Sequence, residues 1–215
     1  MLVLGDAHAG DPDNREALLR AYGVTNAEQA LQVGDLGHYD LPAPTHFVAG
    51  NNEDLDVIDA LRAGRAPVGT ANVHLLASTI GTVGGLRVAG LSGNFAPTQF
   101  EKSRSALVHG RRRHFVREDV ERATALEGVD VFLCHEAPHG VDVTEAYDVG
   151  CTHVDDILEA VEPELCLVGH YHQHGESRFG ATRVVTLDPV WRAYYTLDPD
   201  TLRLERHAWG SDRPD

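Results

Sequence analysis

The stretch Leu165-Cys166-Leu167-Val168-Gly169-His170-Tyr171-His172 joins four apolar residues to a glycine and two alternating histidines. A short apolar run that ends at a turn residue is typical of a buried strand. The alternating positions of His170 and His172 allow their side chains to face different partners. Because buried imidazoles are costly unless they are paired or metal-bound, this stretch predicts a buried strand with metal ligands at its carboxyl end.

Four other stretches repeat this pattern, and each ends a strand-like run with polar side chains: Gly5-Asp6-Ala7-His8, Gly34-Asp35, Gly50-Asn51-Asn52-Glu53 and Cys134-His135-Glu136. In extended geometry Asp6 and His8 can point to the same side of the strand end. The carboxylate of Asp35 has two oxygens, as needed to bridge two cations. Together the five stretches predict a two-metal site with a shared carboxylate, whose ligands are Asp6, His8, Asp35, Asn51, His135, His170 and His172.

The donor atoms of this site indicate which metals it prefers. Magnesium favours shells made of oxygen alone, whereas mixed imidazole, carboxylate and amide donors suit transition metals. We therefore expect two divalent ions, with manganese the first choice and iron, zinc, cobalt or nickel as alternatives.

The hydrophobic periodicity predicts alternating strands and helices followed by an all-β tail. Predicted strands are Leu2–Leu4, Ala30–Val33, Thr45–Ala49, Val73–Leu76, Thr79–Val83, Leu86–Leu91, Val131–Cys134, Leu165–Val168, Thr182–Leu187, Arg192–Leu197 and Leu202–Trp209. Predicted helices are Asn14–Tyr22, Leu55–Ala63, Glu118–Ala125 and His153–Val161. This order predicts an α/β fold in which two mainly mixed sheets pack as a sandwich flanked by helices. We expect one domain over residues 1–215, since no linker or low-complexity tract divides the chain.

Composition restricts the range of partners. The chain carries 33 acidic and 18 basic residues, a formal charge of -15, and Lys102 is its single lysine. Tight sequence-independent binding of long duplex nucleic acid relies on many basic side chains, so it is disfavoured, but a short nucleotide is not. The apolar start Met1–Leu4 lacks the features of a cleavable leader, and no apolar run reaches membrane-spanning length. We expect a cytoplasmic protein with no membrane partner. Of its three cysteines, Cys134 and Cys166 lie in apolar runs and are expected to be buried thiols, and no disulfide is expected.

The five stretches resemble the calcineurin-like metallophosphoesterases, whose pattern the chain follows from Asp6 to His172. The resemblance implies a four-layer fold with the β-sandwich at its centre. It implies that one ion is held by Asp6, His8, Asp35 and His172, and the other by Asp35, Asn51, His135 and His170. A metal-bridging hydroxide would then attack the phosphorus. The segment Gly85–Phe95 is similar to the matching part of RNA lariat debranching enzymes.

One position departs from the family pattern. Where the family has a histidine that protonates the departing oxygen, this chain has Asn52, which cannot donate a proton at neutral pH. His38, three residues after Asp35, is the first candidate for the missing acid, although a solvated loop histidine fits the sequence equally well. His139 and His174 are second choices. Some related enzymes without this histidine favour diesters, which makes a phosphodiester the preferred substrate.

The run Arg111-Arg112-Arg113 lies in a dense basic segment with Lys102 and Arg104. Because a guanidinium presents a planar fork to phosphate oxygens, this run is a candidate substrate-binding element. The alternative is a solvated loop. Phe95, Phe100 and Phe115 could either stack a base or pin the loop to the core.

Several functions stay open on this basis. The favoured one is hydrolysis of a phosphodiester in a small molecule or nucleotide. The alternatives are an RNA nuclease acting on branched or single-stranded RNA, a phosphomonoesterase, and a scaffold that binds a partner protein without catalysis. The sequence leaves the oligomeric state open.

Overall fold

Two six-stranded sheets form the framework of the protein, as seen in a computed structural model that describes residues 1–141 and 148–210. Numbered along the chain, the strands are β1 (Leu2–Leu4), β2 (Ala30–Gln32), β3 (Thr45–Phe47), β4 (Val73–Leu75), β5 (Thr79–Val83), β6 (Leu86–Leu91), β7 (Val131–Cys134), β8 (Leu165–Val168), β9 (Gly175–Phe179), β10 (Thr182–Thr186), β11 (Ala193–Leu197) and β12 (Leu204–Ala208). The first sheet has the order β12-β11-β1-β2-β3-β4, and the second has the order β5-β6-β7-β8-β10-β9.

Both sheets are mixed, with a parallel centre. Strands β1 to β4 are parallel, and so are β6, β7, β8 and β10. Antiparallel strands flank them: β11 pairs with β1, β12 with β11, β5 with β6, and β9 with β10. Parallel strands present their carboxyl ends at the same edge of a sheet, where open α/β sheets bind ligands.

The helices pack outside the two sheets. They are α1 (Pro12–Thr25), α2 (Leu55–Arg62), α3 (Pro97–Phe100), α4 (Arg117–Thr124) and α5 (Thr152–Val161), with 3₁₀ turns at Arg104–Ala106 and His109–Arg113. Helices α1 and α2 begin at aspartate caps, because Asp11 and Asp54 each accept two backbone N–H bonds. In the described part of the chain, no helix combines the length and apolar character needed to cross a membrane.

Side-chain alternation along the strands builds three apolar layers. Val3 of β1 and Leu133 of β7 belong to the cluster between the sheets. Leu2 and Leu4, on the opposite face of β1, pack in a cluster with Leu18 of α1. A third cluster joins the outer face of the second sheet to α5. The predicted fold, two mixed sheets packed face to face with helices outside, is confirmed.

The differences from the predicted elements are local. The sequence prediction missed β9, because Gly175–Phe179 is a polar stretch that pairs only along one side, at the end of its sheet. The polar stretch Phe95–Arg117, for which the sequence predicts neither a strand nor a helix, contains α3 and both 3₁₀ turns. Cys134 and Cys166 are buried free thiols, as predicted, and Cys151 is a buried free thiol as well. The single domain stays a prediction.

Candidate metal centre

The seven predicted ligands follow strands of both sheets. Asp6 and His8 come after β1, Asp35 after β2 and Asn51 after β3, all in the first sheet. His135 follows β7, and His170 and His172 follow β8 in the second sheet. The site therefore lies where the carboxyl ends of the two parallel centres meet.

Asp6 lies close to His8 and His172, and these three residues form what we call the first half of the site. Its buried carboxylate accepts hydrogen bonds from the backbone N–H of His170 at 3.1 and 2.9 Å. The Nε2 atom of His172 lies 2.9 Å from Asp6 Oδ2 and 3.2 Å from the Nε2 atom of His8. Donor atoms of Asp6, His8 and His172 all lie within 4.8 Å of one another, as in a set that could share one ion.

Asp35 lies between the two halves of the site. Its Oδ2 is 3.5 Å from the Nε2 atom of His8, and its Oδ1 is 3.6 Å from the Nε2 atom of His135. Asp35, Asp6 and His135 form a second set of donors within 4.8 Å, and all three residues are buried. The two oxygens of Asp35 thus face different histidines, the arrangement needed for a bridging carboxylate.

Asn51 and His170 complete the second half. The Asn51 Oδ1 atom lies 3.1 Å from His135 Nε2, and the ring centroids of His170 and His135 are 4.9 Å apart. Nδ1 of His135 lies 2.9 Å from the carbonyl oxygen of Val33, so its Nε2 faces the other donors. This is a common way to orient a metal-binding imidazole. All seven predicted ligands are therefore brought together.

These donors fit a pair of divalent cations. Two buried carboxylates, Asp6 and Asp35, lie in one group, and like charges this close are unfavourable without a cation between them. The imidazoles of His8, His135 and His172 present nitrogen atoms to the same space. Mixed nitrogen and oxygen donors of this kind suit manganese, iron or zinc.

The backbone at the site adopts conformations that are rare for residues other than glycine. Four predicted ligands have positive φ: His8 at 45°, Asp35 at 54°, His170 at 74° and His172 at 54°. A left-handed conformation costs free energy in an ordinary residue and persists when surrounding contacts enforce it, often at functional sites. Four of the nine residues other than glycine with positive φ in residues 1–141 and 148–210 are therefore predicted ligands, a pattern consistent with a functional site.

The glycines of the motifs make room for the ligands. A Cβ atom on Gly50 would lie 2.2 Å from Asp35 Oδ1, and one on Gly169 would lie 2.6 Å from Asp6 Oδ1. Gly34 has a φ of 106°, and a Cβ there would lie 2.3 Å from His135 Nδ1. Because any side chain at these positions would occupy the space of a ligand, the Gly-Asp, Gly-Asn and Gly-His pairs have a steric basis.

Asp6 and His135 each shift the pKa of the other. Burial raises the pKa of Asp6, but the His172 hydrogen bond and the charge of His135 outweigh this effect, so that the net shift is downward. Burial lowers the pKa of His135, yet the carboxylates of Asp6 and Asp35 raise it overall. The lowered pKa of Asp6 favours its charged form, which suits a positive charge beside it.

Sequence reasoning missed two buried groups that position the site loops. The Gln32 side chain donates to the carbonyl oxygens of Gly5 and Gly34 and accepts from Gly34 N at 2.9 Å. The sequence feature that could have revealed Gln32 is its position as a polar residue inside an otherwise apolar strand. The carboxylate of Glu53 accepts hydrogen bonds from Tyr39 and from the backbone N–H groups of Leu36, Gly37 and Gly50.

Asn52 has a definite contact in the structure. Its backbone N–H donates to Asp35 Oδ1 at 2.7 Å, and its Nδ2 donates to Asp35 Oδ2 at 2.8 Å. The residue therefore holds both oxygens of the predicted bridging carboxylate. The observed contact is one that orients Asp35, whereas the resemblance to metallophosphoesterases implies a histidine that donates a proton at this position.

The three histidines considered as proton donors differ in their surroundings. His38 is half-buried and makes no hydrogen bond within residues 1–141 and 148–210, which leaves its predicted role as a hypothesis. His139 Nδ1 lies 2.5 Å from Asp155 Oδ2 of α5. Nδ1 of His174 lies 3.4 Å from the hydroxyl of Tyr195.

The arginine run divides into two parts. Arg111 and Arg113 line a cavity of about 620 Å³ that also borders Asn51. Arg112 instead binds α2, with ion pairs of 2.8 Å to Asp56 and 2.6 Å to Asp59. Its guanidinium thus anchors the 3₁₀ turn to the helix, and a contact between Arg112 and substrate stays a prediction.

Arg104 of the basic segment, and Phe100 and Phe115 beside it, also make structural contacts. Arg104 pairs with buried Asp119 and donates to the carbonyl oxygens of Arg112 and His114. Phe100 and Phe115 are buried in the cluster of α5. Of the two alternatives for these rings, the structure supports anchoring of the loop.

Comparison with known proteins gives one curated relative. The chain is similar to the lariat debranching enzyme of Schizosaccharomyces pombe, with 26% identity over 183 residues, which cover 70% of this chain and 39% of that enzyme. The chain thus spans well under two thirds of the length of this relative. No model of a protein family matches the chain.

Solved structures share the fold at low sequence identity. A protein of Thermus thermophilus matches with a TM-score of 0.67 and 20% identity, covering 96% of this chain and 97% of that one. A dimetal phosphatase from Danio rerio matches with a TM-score of 0.58 and 13% identity, covering 92% and 87%. The predicted resemblance to metallophosphoesterases, and locally to lariat debranching enzymes, is confirmed by these similarities.

Proposed function

We propose that this metallophosphoesterase-like chain is a dinuclear metal-dependent phosphodiesterase. The observation that carries the proposal is the position of Asp35, whose two oxygens face His8 on one side and His135 on the other. Such a carboxylate suits a two-metal hydrolytic site, in which the ions lie about 3.5 to 4 Å apart. When bound, the cations supply Lewis acidity that activates water and offsets the charge of the phosphate oxygens.

Residues of the chain would divide the work as the resemblance implies. Asp6, His8, Asp35 and His172 would hold one ion, and Asp35, Asn51, His135 and His170 the other. Asn52, Gln32 and Glu53 would keep these ligands in place through the hydrogen bonds described above. Arg111 and Arg113, which line the cavity beside Asn51, would orient phosphate oxygens of the substrate.

The surroundings of Asn52 bear on the departing group of the substrate. Its amide is engaged with Asp35, and an amide has no acidic proton to give to a departing alkoxide. His38 stays the first candidate for that role. A substrate whose departing group needs little protonation fits this site, whether it is a monoester or a diester. The choice of a diester comes from the resemblance, since some related enzymes without this histidine favour diesters.

The direct test is a comparison of two aryl esters. With Mn²⁺ supplied, bis(p-nitrophenyl) phosphate should be hydrolysed faster than p-nitrophenyl phosphate, and a chelator should abolish both reactions. Asp35→Ala should lower kcat/KM for the diester at least a hundred-fold. Arg65→Ala, a change of an exposed residue after α2, is the control and should leave the rate unchanged. Full activity in the presence of chelator would exclude the proposal.

Cleavage of RNA is the second candidate, and two observations favour it. The curated relative is a lariat debranching enzyme, and the cavity beside Asn51 is lined by Arg111 and Arg113. If RNA is the substrate, Arg111→Glu with Arg113→Glu should reduce cleavage of a branched or single-stranded oligonucleotide far more than cleavage of the aryl diester. Equal reductions for both substrates would argue against a polymer.

A further inference from the structure

A second cavity lies beside Trp191, whose ring contacts His8 and His172 of the candidate metal centre. It measures about 620 Å³, and its lining includes Trp191, Trp209 and Arg192. The two cavities share no lining residue. The lining of the arginine cavity includes Asn51, whereas the second cavity is connected to the centre through Trp191, which contacts His8 and His172. The volume is typical of a small-molecule site.

Trp191 forms the boundary between this cavity and the metal centre. Its ring centroid is 5.7 Å from that of His8 and 5.3 Å from that of His172. The residues on either side of Trp191 also contact predicted ligands. Val190 N donates to the Asp6 carbonyl at 2.9 Å, and Arg192 Nη1 donates to the His172 carbonyl at 2.9 Å. Trp191 is half-buried, so that part of its indole stays accessible.

The charges around the second cavity differ from those of the first. Arg206 is paired with Asp188 at 2.7 Å, and the Arg20 guanidinium lies 4.6 Å from the ring centroid of Trp209. The carboxylates of Asp13 and Glu16 also line this cavity. Arg192, the third arginine of the lining, donates to the His172 carbonyl. Since all three arginines have partners and the cavity also contains two carboxylates, it suits a neutral aromatic group with N–H donors better than a phosphate.

We propose that Trp191 is a stacking subsite for a nucleobase on one arm of a phosphodiester, while the other arm extends toward Arg111 and Arg113. A phosphodiester has two organic arms and a monoester has one, so that a cavity at each half of the centre matches the diester. Base stacking on an aromatic side chain is sequence-tolerant and strong enough to determine substrate choice. This inference rests on the proposed phosphodiesterase function and identifies its substrate class.

Binding can be measured without turnover. In a Trp209→Phe variant the remaining tryptophan is Trp191, whose fluorescence reports contact with a base. Adenosine 5'-monophosphate should quench it and bind about ten-fold more tightly than ribose 5-phosphate, which has the same phosphate and sugar but no base. Equal affinities, or no quenching at saturation, would overturn the inference even if the protein hydrolyses no ester.

Kinetics provide the second test, using two diesters with one leaving group. Thymidine 5'-(p-nitrophenyl) phosphate should have a kcat/KM about ten-fold above that of methyl p-nitrophenyl phosphate. Trp191→Leu should bring the ratio close to one, and Trp191→Phe should retain most of it. The metal content of each variant is measured as a control. A variant that keeps its metal but loses the ratio has lost stacking, whereas a variant that loses its metal has a disturbed His8 or His172.

The outcomes distinguish the two proposals. If both diesters react but Trp191→Leu leaves their ratio unchanged with metal content intact, the stacking subsite is wrong and the phosphodiesterase stands. If Trp191→Leu loses its metal and lowers both rates equally, the tryptophan is only a wall of the metal centre, and the inference is again wrong. If neither diester reacts with Mn²⁺ present, the phosphodiesterase proposal fails, and the fluorescence titration alone decides on the subsite.

Discussion

At the scale of single residues, the site depends on glycines as much as on ligands. Gly50 approaches Asp35 so closely that a Cβ atom would lie 2.2 Å from Oδ1 and 2.5 Å from the backbone nitrogen. The side chain of Asp35 is held by Asn52, and its own backbone has positive φ. A displacement of Asp35 would therefore affect both halves of the site at once.

Gly50→Ala should consequently lower metal affinity and activity by at least ten-fold, because the added methyl group must displace Asp35. The matched control is Gly10→Ala, since a Cβ atom added to Gly10 would meet nothing within 4 Å beyond its chain neighbours, and its φ is not positive. Metal binding by isothermal titration and kcat/KM on an aryl diester are the measurements. Equal effects at the two glycines would contradict the steric role.

At the scale of elements, short-range patterns predicted the strands that carry the ligands. The bounds of β7 and β8 match the prediction because Val131–Cys134 and Leu165–Val168 are uninterrupted apolar runs. Their ligands could be predicted because each follows such a run closely. The ion pairs of Arg112 with Asp56 and Asp59 of α2 could not be predicted from short-range patterns, because these partners are more than 50 residues away in sequence.

Helix α5 is attached to the loop after β7 by a pH-sensitive pair. The hydrogen bond from His139 to Asp155 raises the pKa of His139. A raised folded-state pKa means that the pair stabilises the protein fully below the unfolded value, about 6.5, and that this contribution is lost as the pH rises through the folded value. His139→Gln should thus lower Tm at pH 5.5 and have little effect at pH 9. A deficit that grows toward high pH would contradict this sign.

At the scale of the whole molecule, the centre connects two sheets with separate outer cores. Asp6, His8, Asp35 and Asn51 come from the first sheet, whereas His135, His170 and His172 come from the second. Ions bound by both sets would link the sheets. Such a link could not be predicted from local sequence, because it depends on how the two sheets pack.

Metal binding should therefore stabilise the entire fold. At an ion concentration about 100 times the Kd, one site contributes about 2.7 kcal/mol, which for a chain of this size corresponds to a rise in Tm of about 5 °C or more. Calorimetry with Mn²⁺ and with chelator measures the difference. His135→Ala should remove most of the rise, while the Gly10→Ala control should keep it. An unchanged Tm with bound metal would show that the ions do not link the sheets.

The central claim is that seven side chains from two sheets hold two metal ions around Asp35. Crystals grown with Mn²⁺ and measured for anomalous scattering test it most directly. We predict two peaks about 3.5 to 4 Å apart, one beside His8 and His172 and the other beside Asn51 and His135, with Asp35 contacting both. A map with no peak among these side chains, or with manganese bound elsewhere, would contradict it.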